Sequence, residues 1–196
     1  MKKILAIFMM LIIAHPSLWG QESIKKNPTI DSLETLLQTV KAPREKIKIW
    51  DQLSRYYQEI DFDQAIGYAH KMLDYAQKEK DDTLWIKAQQ AIGYSSIYKG
   101  EIEKALSLFQ EAIQRSQKID SPKFIAHGNF SLAFYHYYQG DMNQARALFQ
   151  KAGQGYEQLA MWRRMAEAHN AVAVTYASQS EFKKALESFQ QVLEAN

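Results

Sequence analysis

The residues of this 196-residue chain able to do chemistry are five histidines and a scatter of serines and carboxylates, with no cysteine. His15, His70, His127, His136 and His169 include no pair at i+3 or i+4, the spacing that turns two imidazoles toward one ion from a single helix face. His127 and His136 are nine residues apart, which a helix converts to roughly 14 Å along its axis. No H-E-x-x-H, G-x-x-x-x-G-K-[ST] or G-x-G-x-x-G motif occurs. Serine, histidine and aspartate are all present, but without a nucleophile-elbow sequence. Asp81-Asp82 fits solvation and capping of a turn better than paired acid–base work. Asn129-Phe130-Ser131 matches a glycosylation sequon inside a helical pattern, and Gly153-Gln154-Gly155 reads as a weak spot or bend in a helix. The sequence therefore predicts no catalytic residue, no metal and no cofactor: a binding protein, not an enzyme.

Composition narrows the partner. Hydrophobic residues make up 46% of the chain and charged residues 23%, a globular balance, while only 8 glycines and 4 prolines argue against a turn-rich β-sandwich. The absence of cysteine excludes disulfide frameworks, zinc knuckles and lipid attachment at a thiol. The formal charge is +2; setting aside Lys2 and Lys3 leaves 22 basic against 22 acidic residues, so no electrostatic case exists for nucleic acid. Those two lysines precede the apolar run Ile4–Ala14 and a polar exit at Ser17–Gln21. Eleven apolar residues rise about 16 Å as a helix, short of the ~30 Å hydrocarbon core. Residues 1–20 are expected to be a secretory signal, giving an exported bacterial protein, periplasmic or secreted, that meets a membrane only through that signal if it is uncleaved.

The elements that would position any binding surface follow from a forty-residue repeat. Written in rows of forty, the chain aligns Ala65, Ala105, Ala145 and Ala185 in one column without gaps. Four positions earlier stand Asp61, Glu101, Asp141 and Glu181, each followed by an apolar residue (Phe62, Ile102, Met142, Phe182). Four positions after the alanines come Ala69, Phe109, Phe149 and Phe189. Ile102, Ala105, Leu106, Phe109 and Ile113 fall at i, i+3, i+4, i+7 and i+11, one face of a helix. A second helical stretch, Leu84–Lys99 in the same row, precedes it, and Gly100 and Gly140 stand where that first helix must close through a left-handed residue. The acids that follow are placed to meet the free N–H groups of the next helix. Each row is thus a helical hairpin. Lys80–Thr83 and Asp120–Pro122 break the rows, while Gln158–Trp162 holds no strong breaker.

Residues 45–196 resemble the tetratricopeptide repeat family, best in the second row (Gly93, Gly100, Ala105, Phe109, Ala112) and the third (Ala133, Gly140, Ala145, Phe149, Ala152). The fourth row has Ser180 in place of the glycine, and the first is weakest, with Leu53 and Ile60 at those positions. The forty-residue length exceeds the common 34, and such variants resemble the extracytoplasmic repeat regions of bacterial sensor kinases and other regulators. The resemblance implies an all-α, right-handed solenoid of stacked hairpins. Residues 21–44 would form a lead-in whose short helix caps one end, and four repeats would run about 45–83, 84–122, 123–162 and 163–196. Phe182, Leu186, Phe189, Val192 and Leu193 form an uncapped apolar face, from which missing further sequence or self-association through the last helix is expected.

In this family the first helices line a groove that receives peptide. Carried over, those positions are Trp50, Tyr57 and Gln58; Lys87, Gln90, Tyr94 and Tyr98; His127, Phe130, Phe134, Tyr137 and Tyr138; and Glu167, Asn170 and Ser178. The surface would be aromatic at its centre and polar at its edges, suited to a protein or peptide partner. The competing reading packs several of these rings between neighbouring helices. The Lys-and-Asn pattern by which some members clamp a terminal carboxylate is not matched. The function expected is a non-catalytic interaction scaffold. The alternatives are a truncated periplasmic input region of a membrane-anchored sensor histidine kinase or other signalling protein, and, from a different class, an envelope enzyme.

Overall fold

A computed structural model describes residues 28–194, with side chains as far as Gln190. The expected export signal at residues 1–20 lies outside the described residues, as do the side chains of Val192 and Leu193. Among the described residues there are nine helices and no strand. The chain divides into two compact units, Met1–Gln38 and Thr39–Asn196. Helix α1 (Pro28–Thr39) accounts for the described part of the first; Ser32 and Thr35 hydroxyls donate to the carbonyls of Pro28 and Asp31 within it.

The second unit is four helical hairpins: α2 (Pro43–Tyr57) with α3 (Phe62–Glu79), α4 (Asp82–Tyr98) with α5 (Ile102–Lys118), α6 (Pro122–Tyr138) with α7 (Met142–Gln158), and α8 (Trp162–Ser178) with α9 (Phe182–Glu194). Each packs on its sequence neighbour, and α4 also meets α6, the first helix of the next hairpin.

The backbone keeps a shorter rhythm than the side chains. Lys80, Gly100, Asp120, Gly140, Ala160 and Ser180 all have positive φ, between 47° and 82°, at intervals of twenty residues. At each of these turns the next residue's N–H bonds back five residues, as in Asp81 N to Ala76 O, Glu101 N to Ser96 O and Met161 N to Tyr156 O. This is the Schellman closure, which satisfies carbonyls that the helix end leaves free. The turn at Gln158–Trp162 therefore closes like the others although its left-handed residue is an alanine. The exception is the turn after α2. Ile60 stands in the register of Gly100 but is β-branched, which excludes the left-handed well, and Asp61 N bonds instead to Tyr57 O.

The carboxylate column splits by side-chain length. Asp61 caps α3 through the N–H groups of Asp63 and Gln64, and Asp141 caps α7 through that of Gln144. Glu101 makes no such cap; it pairs with Lys104, and Glu181 pairs with Lys184, three residues on in each case. The sequence follows this choice, with Gln at the third position after Asp and Lys at the third after Glu.

The alanine column is sealed: Ala65, Ala105 and Ala145 are 0% exposed and Ala185 5%. Ala145 and Phe149 of α7 share a cluster with Ala133 of α6 and Val172 of α8, so one hairpin locks onto the first helix of the next. Ala105 and Phe109 do the same between Ile97 of α4 and Tyr135 of α6. The fit is close: a Cβ on Gly93 would stand 2.4 Å from the Phe109 ring. Helix α7 runs unbroken through Gly153 and Gly155, so that segment is no bend; a Cβ on Gly155 would stand 3.0 Å from the Ala126 methyl, and the glycine seats α7 against α6. Arg146 ties α7 to the last hairpin. Its guanidinium lies 3.7 Å from the Tyr176 ring centroid, and its Nε donates to Thr175 Oγ1 at 3.1 Å.

Candidate functional site

A groove of about 520 Å³ opens across the first helices of the hairpins. Helix α2 contributes Asp51 and Arg55, with Gln58 at its C-cap, at i, i+4 and i+7 of one face. Helix α4 contributes Lys87, Gln90, Ala91, Tyr94 and Tyr98, and α6 contributes Lys123, Phe124, His127, Phe130, Ser131 and Phe134. Met161 and Arg164 close it at the start of α8, and Tyr156 reaches in from α7.

Of the fifteen residues carried over as groove positions, eight line this space: Gln58, Lys87, Gln90, Tyr94, Tyr98, His127, Phe130 and Phe134. Tyr138 stands at its aromatic edge, 45% exposed, with its ring centroid 5.8 Å from Tyr98 and 5.0 Å from Phe134. The other six go elsewhere. Trp50 packs on the cluster of Met72, Ala76, Leu84 and Ala88. Tyr57 stacks on Tyr68 with centroids 5.8 Å apart, and Tyr137 packs against the Ala145–Phe149 cluster. Asn170 is exposed and outside the lining. The three rings share one cause: a helix presents two faces to its hairpin partner and the next hairpin, and aromatic rings adjoining the groove stripe are drawn into those seams. Gln58 lines the groove and donates from Nε2 to Ala91 O at 3.2 Å. Glu167 is outside the lining and pairs with Arg164, and Ser178 donates to its own helix at Val174 O.

The residues the sequence reading missed are mostly charged or recessed. Lys123 lies four residues before His127, so helical spacing alone places it on the same stripe. Tyr156 stands in the column of Ala76 and Ser116, where a ring in place of a small residue marks a filled space. It is 1% exposed, and its hydroxyl shares a hydrogen bond with His127 Nδ1 at 2.9 Å.

The floor is a set of interlocked rings. Tyr94 meets Phe109 at 5.2 Å and Phe134 edge-on at 5.5 Å between centroids. Ser131 Oγ donates to His127 O at 3.0 Å, so its contact with the Tyr94 hydroxyl, at 2.8 Å, has Tyr94 as donor. Burial pushes the Tyr94 phenol up to about 12, and burial raises Tyr156 further still; both are neutral near pH 7. His127 is pushed down to about 4, first by burial and then by the positive charges of Arg164, Lys123 and Lys87. The site thus presents neutral rings, hydroxyls and hydrogen-bond donors rather than a group poised for proton transfer. Among the described residues no cluster of three or more histidines or carboxylates is arranged around a common point.

The family model described as tetratricopeptide repeat matches residues 124–196, the last two of the stacked hairpins. Solved structures extend the likeness over 85% of the chain. A Rap protein complexed with Competence and Sporulation Factor superposes with a TM-score of 0.75 at 20% identity. The apo form of RapI gives 0.64 at 17%, and aspartyl phosphate phosphatase F from Bacillus subtilis 0.69 at 15%. The chain spans about half the length of these structures, 48%, 61% and 44% respectively. At these identities the likeness establishes the fold. Comparison with curated protein sequences gives no match.

Proposed function

We propose that this chain is a non-catalytic scaffold that receives an extended polypeptide in the groove across α2, α4, α6 and the start of α8. The observation that carries this reading is the convergence of residues from all four hairpins on one open space with an aromatic floor. Tyrosine and phenylalanine bury much area with few rotamers to freeze, and rings already locked against one another lose little further freedom on binding. A Rap protein of the same fold was solved with a bound factor, which fits a module built to receive a ligand. The export signal expected at residues 1–20 would place the scaffold outside the cytoplasm. As input region of a longer signalling protein, the same groove would serve as the sensor.

The test is a pull-down from envelope extract with the wild-type chain and a Tyr98→Ala/Tyr138→Ala variant. Both rings are more than 40% exposed, so their loss leaves the core intact. The expected result is a specific partner lost with the variant, with unchanged circular dichroism. Equal recovery of the same partner by both would remove the groove from the account.

A further inference from the structure

We infer that the polypeptide received in this groove is acidic at one end and apolar at the other, its carboxylates seated between Lys87, Lys123 and Arg164. This rests on the binding reading above and adds the chemistry of the ligand.

Four cations and one carboxylate line the groove. The carboxylate, Asp51, is taken by Arg55 on its own helix. Arg164 is shared with Glu167 at 2.7 Å. Lys87 and Lys123 have no carboxylate within ion-pair distance among the described residues, and both are exposed. Their positions run against helix stability. Lys123 lies in the first turn of α6 and Arg164 in that of α8, and neither first turn holds an acid. A cation at the positive end of the helix dipole is unfavourable, so these charges add to the positive potential that free N–H groups already create.

A second, independent observation points the same way. Gln90 lines the groove, is 9% exposed, and its Nε2 has no hydrogen-bond partner. A buried donor without an acceptor is destabilising, and a carboxylate or backbone carbonyl of a ligand is the group that relieves it.

The aromatic end lies at the other ends of the same helices, at Tyr98 and Phe134. Eleven residues separate Lys87 from Tyr98 and Lys123 from Phe134, about 16 Å of helix rise. An extended peptide covers that distance in about five residues. The matching ligand carries aspartate or glutamate roughly five positions from a large apolar side chain.

The experiment is display selection of random ten-residue peptides on the full chain and on a Lys87→Glu/Lys123→Glu variant. The wild-type pool should be enriched in acidic residues about five positions from an apolar one, and the variant pool should turn to lysine and arginine. A selected acidic peptide should bind at least tenfold more weakly to Lys87→Gln/Lys123→Gln. It should change less than twofold with Lys78→Gln, a surface change on α3 outside the groove. A wild-type pool with no acidic enrichment, or one pool binding both proteins alike, overturns the charge assignment while leaving peptide binding in place. Failure to enrich any sequence on the wild type overturns both.

Discussion

His127 joins the repeats chemically as well as sterically, and its protonation state carries a prediction. Its ring is held by the Tyr156 hydroxyl, and its pKa lies at about 4 against an ordinary 6.5. Between those values the unfolded chain takes up a proton that the folded chain refuses. Protonation then draws the equilibrium toward the unfolded state, and stability falls as pH drops through that window while staying level above it. From pH 7 to 5 this contribution is no more than about 2 kcal/mol. Urea midpoints measured across the range should show wild type losing stability and His127→Gln losing less; parallel curves would contradict the assignment. Core positions at this scale are less subtle. Phe109→Ala empties the space against Gly93 and should cost about 3–5 kcal/mol, whereas Ala145→Leu overpacks a sealed seam and should cost about 1–3 kcal/mol.

At the scale of the element, the helix ends carry the most direct test. Six turns use a left-handed residue, but only two of them supply a glycine. An alanine in that conformation is strained by about 1–2 kcal/mol. Ala160→Gly should therefore raise the thermal midpoint, by about 1 kcal/mol of stability, and Gly140→Ala should lower it by a similar amount; the reverse ordering would sink the argument. These turns also mark what the sequence made legible. Forty-residue columns revealed the hairpins because side chains alternate between first-helix and second-helix roles. The twenty-residue backbone period stayed hidden because Lys80, Asp120, Ala160 and Ser180 adopt the conformation without announcing it. Packing on both sides enforces the turn regardless of propensity. The groove was legible wherever the family's first-helix positions fell on the exposed stripe, as for Tyr94 and Phe134. It was lost one residue to either side, as with Tyr137, where a ring of the same type faces a seam. Arg164 escaped notice because it belongs to the groove only once α8 is stacked against α6.

Across the repeat unit as a whole, stability should be local. Each hairpin buries its apolar face on its neighbours, and the clusters around Phe109 and Phe149 draw on three consecutive helices or their immediate successors. In such an array free energy is a sum of nearest-neighbour terms rather than a property of one shared core. A cavity in one seam ought then to loosen that seam and fade with distance. Phe149→Ala removes a ring that is 2% exposed between α6, α7 and α8. Amide hydrogen exchange should show protection falling in α6 to α9, where Arg146 transmits the change through Tyr176, and hardly moving in α2 and α3. The groove runs from α2 to the start of α8 and crosses the α6–α8 seam that loosens, so the same variant should weaken peptide capture more than its modest loss of helicity suggests. A uniform drop in protection from α2 to α9 would mean that the unit folds as a single cooperative block. The repeat-by-repeat interlocking read from the alanine columns would then not govern its energetics.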